Sequence, residues 1–125
     1  MPPLNSTQIQ LTKQPLIVLV NEGTASAAEL LAGSLQDDRR AMIVGTSTAG
    51  KGLIHSPEVL ADNSGIIVTL GKLFTPNGRD ILALGIEPDI LINATSSPLL
   101  DPNIDPASSE DIQYLKAVEQ LNEIN

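Results

Sequence analysis

Ser26 is the first side chain whose position in this sequence could support chemistry. It follows an apolar run at 15–20 and begins a segment whose apolar residues have helical spacing. A hydroxyl at such a junction lies near the positive end of a helix dipole, where the amide of Ala27 could stabilise the oxyanion formed when Ser26 attacks a carbonyl. The same serine also fits a structural role, because Ser26-Ala-Ala-Glu29 matches a capping box.

Two other side chains could activate this serine. Lys51 follows a loop of small residues, where burial would disfavour the ammonium form and leave a neutral amine to accept the serine proton. His55 is the only histidine and the alternative base; an acid is near it in sequence, but nothing in the sequence shows that this acid orients the ring as a Ser-His-Asp triad requires. An ordinary exposed loop lysine remains the alternative for Lys51.

The segment 45–51 also matches the G-x-x-x-x-G-K pattern of a phosphate-binding loop. Gly52 stands where such a loop needs a hydroxyl for Mg²⁺, and the residues after it are a poor helix start. Phosphate binding is therefore the weakest of these interpretations.

The elements that must position these residues alternate between strand and helix. Continuous apolar runs at 15–20 and 41–44 predict two strands buried on both faces, as in a parallel sheet. Between them, 25–38 has the apolar spacing of a helix, and Arg39 and Arg40 follow where cations suit a helix C-terminus. This order is typical of an α/β fold.

The second half of the chain predicts shorter elements. A third strand is expected at 66–70, which 72–74 could extend, followed by a turn at 75–78 and short strands at 81–86 and 89–92. Ser108 is expected to start an acidic helix with Ile112, Leu115, Val118 and Leu121 on one face. The predicted organisation is a linker or terminal edge at 1–14, an α/β core at 15–93, a linker at 94–108 and a C-terminal helix at 109–125.

Composition excludes several classes of protein. The 125 residues suit one domain, and a net charge of -8 from 15 acidic and 7 basic side chains argues against nucleic-acid binding. The absence of cysteine excludes disulfides, thiolate zinc sites and thiol catalysis. No apolar run approaches the ~18 residues of a membrane span, and the first ten residues do not resemble a signal peptide.

Several groups of residues together resemble the carboxyl-terminal processing (tail-specific) serine proteases. The likeness spans about residues 15–93 and keeps the family's order, which makes it specific although each motif alone is weak. The matching groups are 20–29, Gly33, 36–37, 44–45, 48–52, 74–79 and 85–89.

This resemblance implies a crotonase-like α/β domain that hydrolyses polypeptides near their C-termini through an acyl-enzyme, without metal or cofactor. Ser26 falls on the family's nucleophile, Lys51 on its general base and Ala27 on one oxyanion donor. Glu29 and Asp37 fall on supporting positions, although an Asp beside two arginines at a helix end also fits a surface charge.

Two departures from the family pattern qualify this expectation. His55 stands where the family usually has Gln, and an imidazole could make a similar hydrogen bond, so a supporting role is expected for it. The family's upstream PDZ module and the glycine-rich segment that supplies a second oxyanion donor are not in this sequence. We therefore expect the C-terminal part of a longer protease.

That longer protein is expected to be exported to the periplasm, thylakoid lumen or cell envelope. Its expected partner is a polypeptide substrate with a C-terminal tail, and the 125-residue chain alone is expected to be poorly active. The alternative is a catalytically silent remnant or interaction domain in which Ser26 is only a helix N-cap.

Overall fold

Residues 12–92 and 103–124 are described by the structure, a computed structural model, as a mixed α/β arrangement. This confirms the fold class predicted from the sequence. The elements in chain order are β1 (Ile17–Val20), α1 (Ala27–Asp37), β2 (Met42–Gly45), β3 (Leu53–Val59), β4 (Gly65–Lys72), β5 (Ile90–Leu91) and α2 (Ile112–Ile124).

The predicted strand–helix–strand unit is present as β1, α1 and β2. The two strands are parallel, with Ile17 opposite Met42 and Val20 opposite Gly45, and β5 joins the other side of β2 in parallel. Parallel strands end at the same edge of a sheet, so the segments after β1 and β2 emerge side by side. The unit therefore brings the start of α1 close to the loop that follows β2.

The expected burial of both first strands on both faces is correct only for β2. In the central strand, Ile43 and Val44 are fully buried, whereas Leu19 of β1 is 42% exposed. Among the described residues, β1 lies at the edge of a three-stranded sheet, with β2 as its hydrogen-bonded neighbour on one side. The apolar run at 15–20 therefore predicted more burial for β1 than the structure shows.

The core is aliphatic, as the near absence of aromatic residues predicts. One cluster joins β1, α1 and β2 through Val20, Ala32, Ala41 and Ile43. Gly33 of α1 lets the helix approach closely, because an added Cβ would lie 2.7 Å from Ile86. Close packing of this kind fixes the helix against the segment that contains Thr75 and Ile86, between β4 and β5.

The strand predicted at 66–70 belongs to a second sheet rather than to the first. It forms β4, which pairs antiparallel with β3 in a two-stranded hairpin. β3 extends to Val59, well beyond the two apolar residues visible in the sequence, and it contains Pro57. Proline is tolerated there because each strand of an isolated hairpin has a free edge.

The segment 81–86 is not the strand that its apolar residues suggested. Ala83 has a φ of 71°, and the amide of Gly85 donates to the carbonyl of Ile81, so the chain turns. Ile81 and Ile86 are nevertheless buried. The predicted strand is therefore wrong, and Leu84 in the same segment is 79% exposed. The predicted turn at 75–78 is present, with the Gly78 amide donating to the Thr75 carbonyl.

Helix α2 begins later than predicted. Asp111, not Ser108, precedes its first residue and accepts a hydrogen bond from the Tyr114 amide in the N-cap manner. Ala117 is the buried residue of this helix, while Ile112 and Leu115 of the predicted apolar face are 45% and 44% exposed.

Helix α2 packs against β1 and β2, and one polar side chain fastens it there. The Gln113 amide group donates to the Val20 carbonyl at 2.7 Å and to the Val44 carbonyl at 3.2 Å. Most of the linker predicted at 94–108 lies outside the described residues. Neither described helix combines the length and apolarity that crossing a bilayer requires.

Candidate active site

Ser26 occupies the junction between β1 and α1 in a strained backbone conformation. Its φ of 56° and ψ of -117° differ from the extended conformation of an ordinary N-cap residue. Such a conformation costs a non-glycine residue about 1–3 kcal/mol and persists only where the surroundings enforce it. The serine is exposed. Its neighbour Ala27 is the first residue of α1, where an amide has no partner within the helix.

Glu29 is the group that enforces this geometry. Its carboxylate is fully buried and accepts four hydrogen bonds, so the expected supporting role at the helix start is only part of what it does. One oxygen, Oε2, accepts from the amides of Ser26 and Lys51, both at 2.8 Å. The two nitrogens are therefore no further apart than twice that distance. Oε1 accepts from the Gly50 amide at 2.7 Å and the Thr48 hydroxyl at 2.5 Å.

These hydrogen bonds determine the charge of Glu29. Burial by itself raises the pKa of a carboxyl group. Donation from the Thr48 hydroxyl and from the amides of Gly50, Ser26 and Lys51 outweighs that effect and lowers the pKa of Glu29 below its ordinary value. The site is therefore built around a buried anion that is ionised at neutral pH.

The loop that carries Lys51 is fixed through its backbone. Gly50 has a φ of 71°, and its carbonyl accepts from the Ala83 amide at 3.0 Å. A Cβ on Gly52 would lie 2.5 Å from the amide nitrogen of Leu82, so only glycine fits there. The expectation of a dry loop is correct for these two buried glycines, but the Lys51 residue itself is exposed.

Two adjoining clefts open at Ser26. The smaller, of about 270 Å³, is lined by Ser26, Gly50, Lys51, Leu53, His55 and Leu82. The larger, of about 410 Å³, is lined by Ser26, Ala27, Leu30, Leu53, Ile54, His55 and Leu73. Ser26, Leu53 and His55 border both, and most of the remaining wall is aliphatic. This surface can accept an apolar side chain beside the serine hydroxyl.

His55 lies on β3 with its ring at the edge of these clefts. Its Nδ1 atom lies 3.3 Å from the Thr69 hydroxyl on β4. The hydrogen-bond partner of the ring is therefore a hydroxyl rather than the carboxylate of a Ser-His-Asp arrangement.

Asp37 lies at the opposite end of α1 from Ser26. Ten residues at a rise of ~1.5 Å separate the ends of the helix by about 15 Å. Its carboxylate forms an ion pair of 2.5 Å with Arg79 and accepts from the Asn77 amide. Burial raises the pKa of Asp37, but hydrogen bonds from Thr75, Asn77 and Arg79 lower it overall.

The surroundings of Asp37 thus differ from those of a surface charge beside two arginines at a helix end. Its partner is Arg79, not the adjacent arginines 39 and 40, and its side chain is only 5% exposed. It fastens the 75–79 turn to the end of α1 and is not brought to Ser26.

The phosphate-loop interpretation of 45–51 is wrong. The amides of Gly50 and Lys51 donate to Glu29, so the anion held by this loop is the protein's own carboxylate. The strand β3 follows the loop, not the helix whose dipole would bind phosphate. Within residues 12–92 and 103–124, no cluster of three or more His, Asp or Glu residues could hold a metal ion.

Thr48 is the site residue that sequence reasoning missed. It is buried, donates to Glu29 and accepts from the Ile86 amide at 2.7 Å. The signal available was indirect: a buried acid needs donors, and the loop that returns to α1 contains three hydroxyl side chains.

Comparison with known proteins identifies the family. Residues 3–92 match peptidase family S41. A carboxyl-terminal-processing protease of Synechocystis sp. is 49% identical over 110 residues, which cover 88% of this chain and 25% of that protein. Carboxyl-terminal-processing peptidase 1, chloroplastic, of Arabidopsis thaliana is 54% identical over 79 residues, or 63% of this chain and 16% of the relative.

A solved structure agrees with this assignment. The photosystem II D1 C-terminal processing protease is 49% identical and superposes with a TM-score of 0.62 over 66% of this chain and 21% of its own. The chain thus spans about a quarter or less of the length of these proteins. On these grounds the chain belongs to peptidase family S41, whose members matched here include the carboxyl-terminal-processing proteases.

Proposed function

We propose that this chain carries the Ser–Lys catalytic pair of a carboxyl-terminal processing serine protease. The observation that supports it best is the Glu29 bridge, in which one carboxylate oxygen accepts from the amides of both Ser26 and Lys51. The strained, exposed serine and the shared cleft are what a nucleophile with a nearby base requires.

The proposed reaction is peptide-bond hydrolysis through an acyl-enzyme. The Lys51 amine accepts the proton of the Ser26 hydroxyl as its oxygen attacks the scissile carbonyl carbon, and the amide of Ala27 donates to the oxyanion. The ammonium then protonates the leaving amine. A water molecule, deprotonated by Lys51, attacks the ester carbonyl; the ester C–O bond breaks, the Lys51 ammonium returns the proton to the Ser26 oxygen, and the product acid leaves.

The substrate is proposed to be a polypeptide cut near its C-terminus, with an apolar residue beside the scissile bond. The aliphatic walls contributed by Leu30, Leu53 and Leu73 favour such a residue. Polypeptide cleavage at a C-terminus is what the names of the relatives describe.

We further propose that the active enzyme is longer than this chain, and that the division into a core at 15–93 and a C-terminal helix at 109–125 reflects its structure. The matched Synechocystis relative is about three and a half times as long. A second oxyanion donor and a peptide-binding PDZ module would come from the remainder. The relatives include chloroplastic and cyanobacterial proteins, which agrees with a thylakoid lumen or periplasmic location.

The test uses a chimaeric protease in which this chain replaces the matching quarter of the Synechocystis relative. The chimaera should cleave an unfolded polypeptide that ends in small apolar residues, and mass spectrometry of the quenched reaction should find the acyl group on Ser26. The Ser26→Ala and Lys51→Ala variants should each lose cleavage by at least about a thousandfold.

A catalytically silent domain, in which Ser26 only caps α1, makes the opposite prediction. A folded chimaera that cleaves no polypeptide, or one whose Ser26→Ala variant retains full cleavage, would reject the proposed function. The isolated chain is expected to cleave far more slowly, because loss of one oxyanion donor typically costs ~10²–10³ in rate.

A further inference from the structure

Thr48 is a buried hydroxyl that neither the capping box nor the Ser–Lys pair accounts for. Its Oγ1 atom donates to Glu29 Oε1 at 2.5 Å and accepts from the Ile86 amide at 2.7 Å. A hydroxyl has one proton to donate. Since the Ile86 N–H occupies the acceptor side of the oxygen, the proton is directed at Glu29.

The backbone of Thr48 is fixed as well. Its amide donates to the Ile86 carbonyl at 3.2 Å, so Thr48 and Ile86 are joined by two hydrogen bonds. A Cβ on Gly85 would lie 2.5 Å from the Thr48 carbonyl oxygen, which shows how closely the two segments approach. Thr48 is therefore held by the 85–86 segment independently of its contact with Glu29.

The orientation of the Glu29 carboxylate follows from this contact. Thr48 and Gly50 fix Oε1, which leaves Oε2 facing the amides of Ser26 and Lys51. A rotation of the carboxylate about its terminal bond would break several of these bonds together. The positions of Ser26 and Lys51 thus depend on the Thr48 hydroxyl, which is linked to their amides by hydrogen bonds through the Glu29 carboxylate.

We propose that Thr48 is a positioning residue whose hydroxyl orients the Glu29 carboxylate and thereby sets the separation of Ser26 and Lys51. The inference rests on the proposed function for its catalytic consequence. Its structural part, the coupling of Thr48 to the Ser26 and Lys51 amides, is independent of activity.

The experiment compares Thr48→Val, which removes the hydroxyl but keeps the shape, with Thr48→Ser, which keeps the hydroxyl. Thr46→Val is the matched control, because Thr46 lies in the same loop and its hydroxyl donates to the exposed Glu22. Two measurements are made: NMR amide shifts of Ser26, Gly50 and Lys51 in the 125-residue chain during a pH titration, and cleavage by the chimaera.

The amide shifts should titrate with Glu29 in the wild type. The midpoint should move to higher pH in Thr48→Val, because the Thr48 hydroxyl lowers the pKa of Glu29, and it should stay near the wild-type value in Thr48→Ser and Thr46→Val. Cleavage should fall by about ten- to a hundredfold in kcat for Thr48→Val, as expected for loss of a hydrogen bond to a charged group, and should recover in Thr48→Ser.

Each outcome decides the inference. A Thr48→Val midpoint and kcat equal to those of Thr46→Val would overturn it, and so would a Thr48→Ser variant as impaired as Thr48→Val, since packing of the methyl group would then be the cause. If Thr48→Val does not fold, Thr48→Ala against Thr48→Ser gives the same comparison. A shifted midpoint in the 125-residue chain, together with a chimaera that shows no serine-dependent cleavage, would support the coupling of Thr48 to the Ser26 and Lys51 amides but reject the proposed function.

Discussion

Replacing Glu29 with Gln should lower the stability of the folded protein. The carboxylate accepts four hydrogen bonds, two at each oxygen. A glutamine amide accepts at its oxygen only and donates at its nitrogen. In the better of its two orientations, the side-chain NH₂ group of the introduced glutamine replaces Oε1. The Thr48 hydroxyl can then rotate and accept from this NH₂ group, but the Gly50 N–H faces a donor and loses its acceptor.

The expected cost follows from that geometry. One hydrogen bond to a charged group is lost, which costs about 1.5–3 kcal/mol, and the remaining hydrogen bonds are weaker because their partner is no longer charged. The free energy of unfolding should therefore fall by about 2–4 kcal/mol. With a urea dependence of about 2 kcal/mol per molar, the unfolding midpoint should drop by about 1–2 M at pH 7. Circular dichroism in a urea series measures this directly.

The difference in stability between the wild type and the Glu29→Gln variant should also depend on pH. The pKa of Glu29 is lowered in the folded protein, so its contribution to stability is present above the ordinary value of 4.5 and is lost as the pH falls through the lowered value. The gap between wild type and Glu29→Gln should therefore be largest at neutral pH and should narrow in acid.

Glu22→Gln provides the matched control. This glutamate is exposed and accepts only from the Thr46 hydroxyl in the described part of the chain, so its replacement should change the stability by less than about 0.5 kcal/mol. A Glu29→Gln protein that unfolds at the same urea concentration as Glu22→Gln would refute the reasoning, as would a gap that stays constant from pH 7 into acid.

Three further outcomes are expected. Lys51→Arg should abolish cleavage by the chimaera, because a guanidinium stays protonated and accepts no proton; normal hydrolysis would exclude Lys51 as the base. His55→Gln should leave cleavage within about tenfold, whereas a loss beyond a thousandfold would point to His55 as the base. Asp37→Asn should lower the free energy of unfolding by about 1–3 kcal/mol by weakening its bonds to Arg79 and the Asn77 amide, yet leave cleavage nearly intact. A folded Asp37→Asn chimaera with a hundredfold loss of cleavage would contradict a purely structural role.

The hairpin illustrates where sequence patterns mislead. The mostly apolar segment 66–70 predicted a strand, which is present, but Ile67 and Leu70 are 75% and 67% exposed in β4. A run of this kind reports strand propensity and potential burial, not the sheet that the strand joins. Pairing with β3 was hidden because Pro57 and the polar residues around it lack a strand pattern.

The sequence by itself determined the β1–α1–β2 unit, the aliphatic core and, through resemblance, the family and the candidate residues Ser26 and Lys51. Local periodicity and ordered motifs are properties of the chain, so they can be read without coordinates. The partner of Asp37 and the donors to Glu29 could not be read in this way. Apart from the Ser26 amide, three positions from Glu29, these groups come from residues 19 to 42 positions away, and only the packing of the loops against α1 decided which polar groups meet a buried carboxylate.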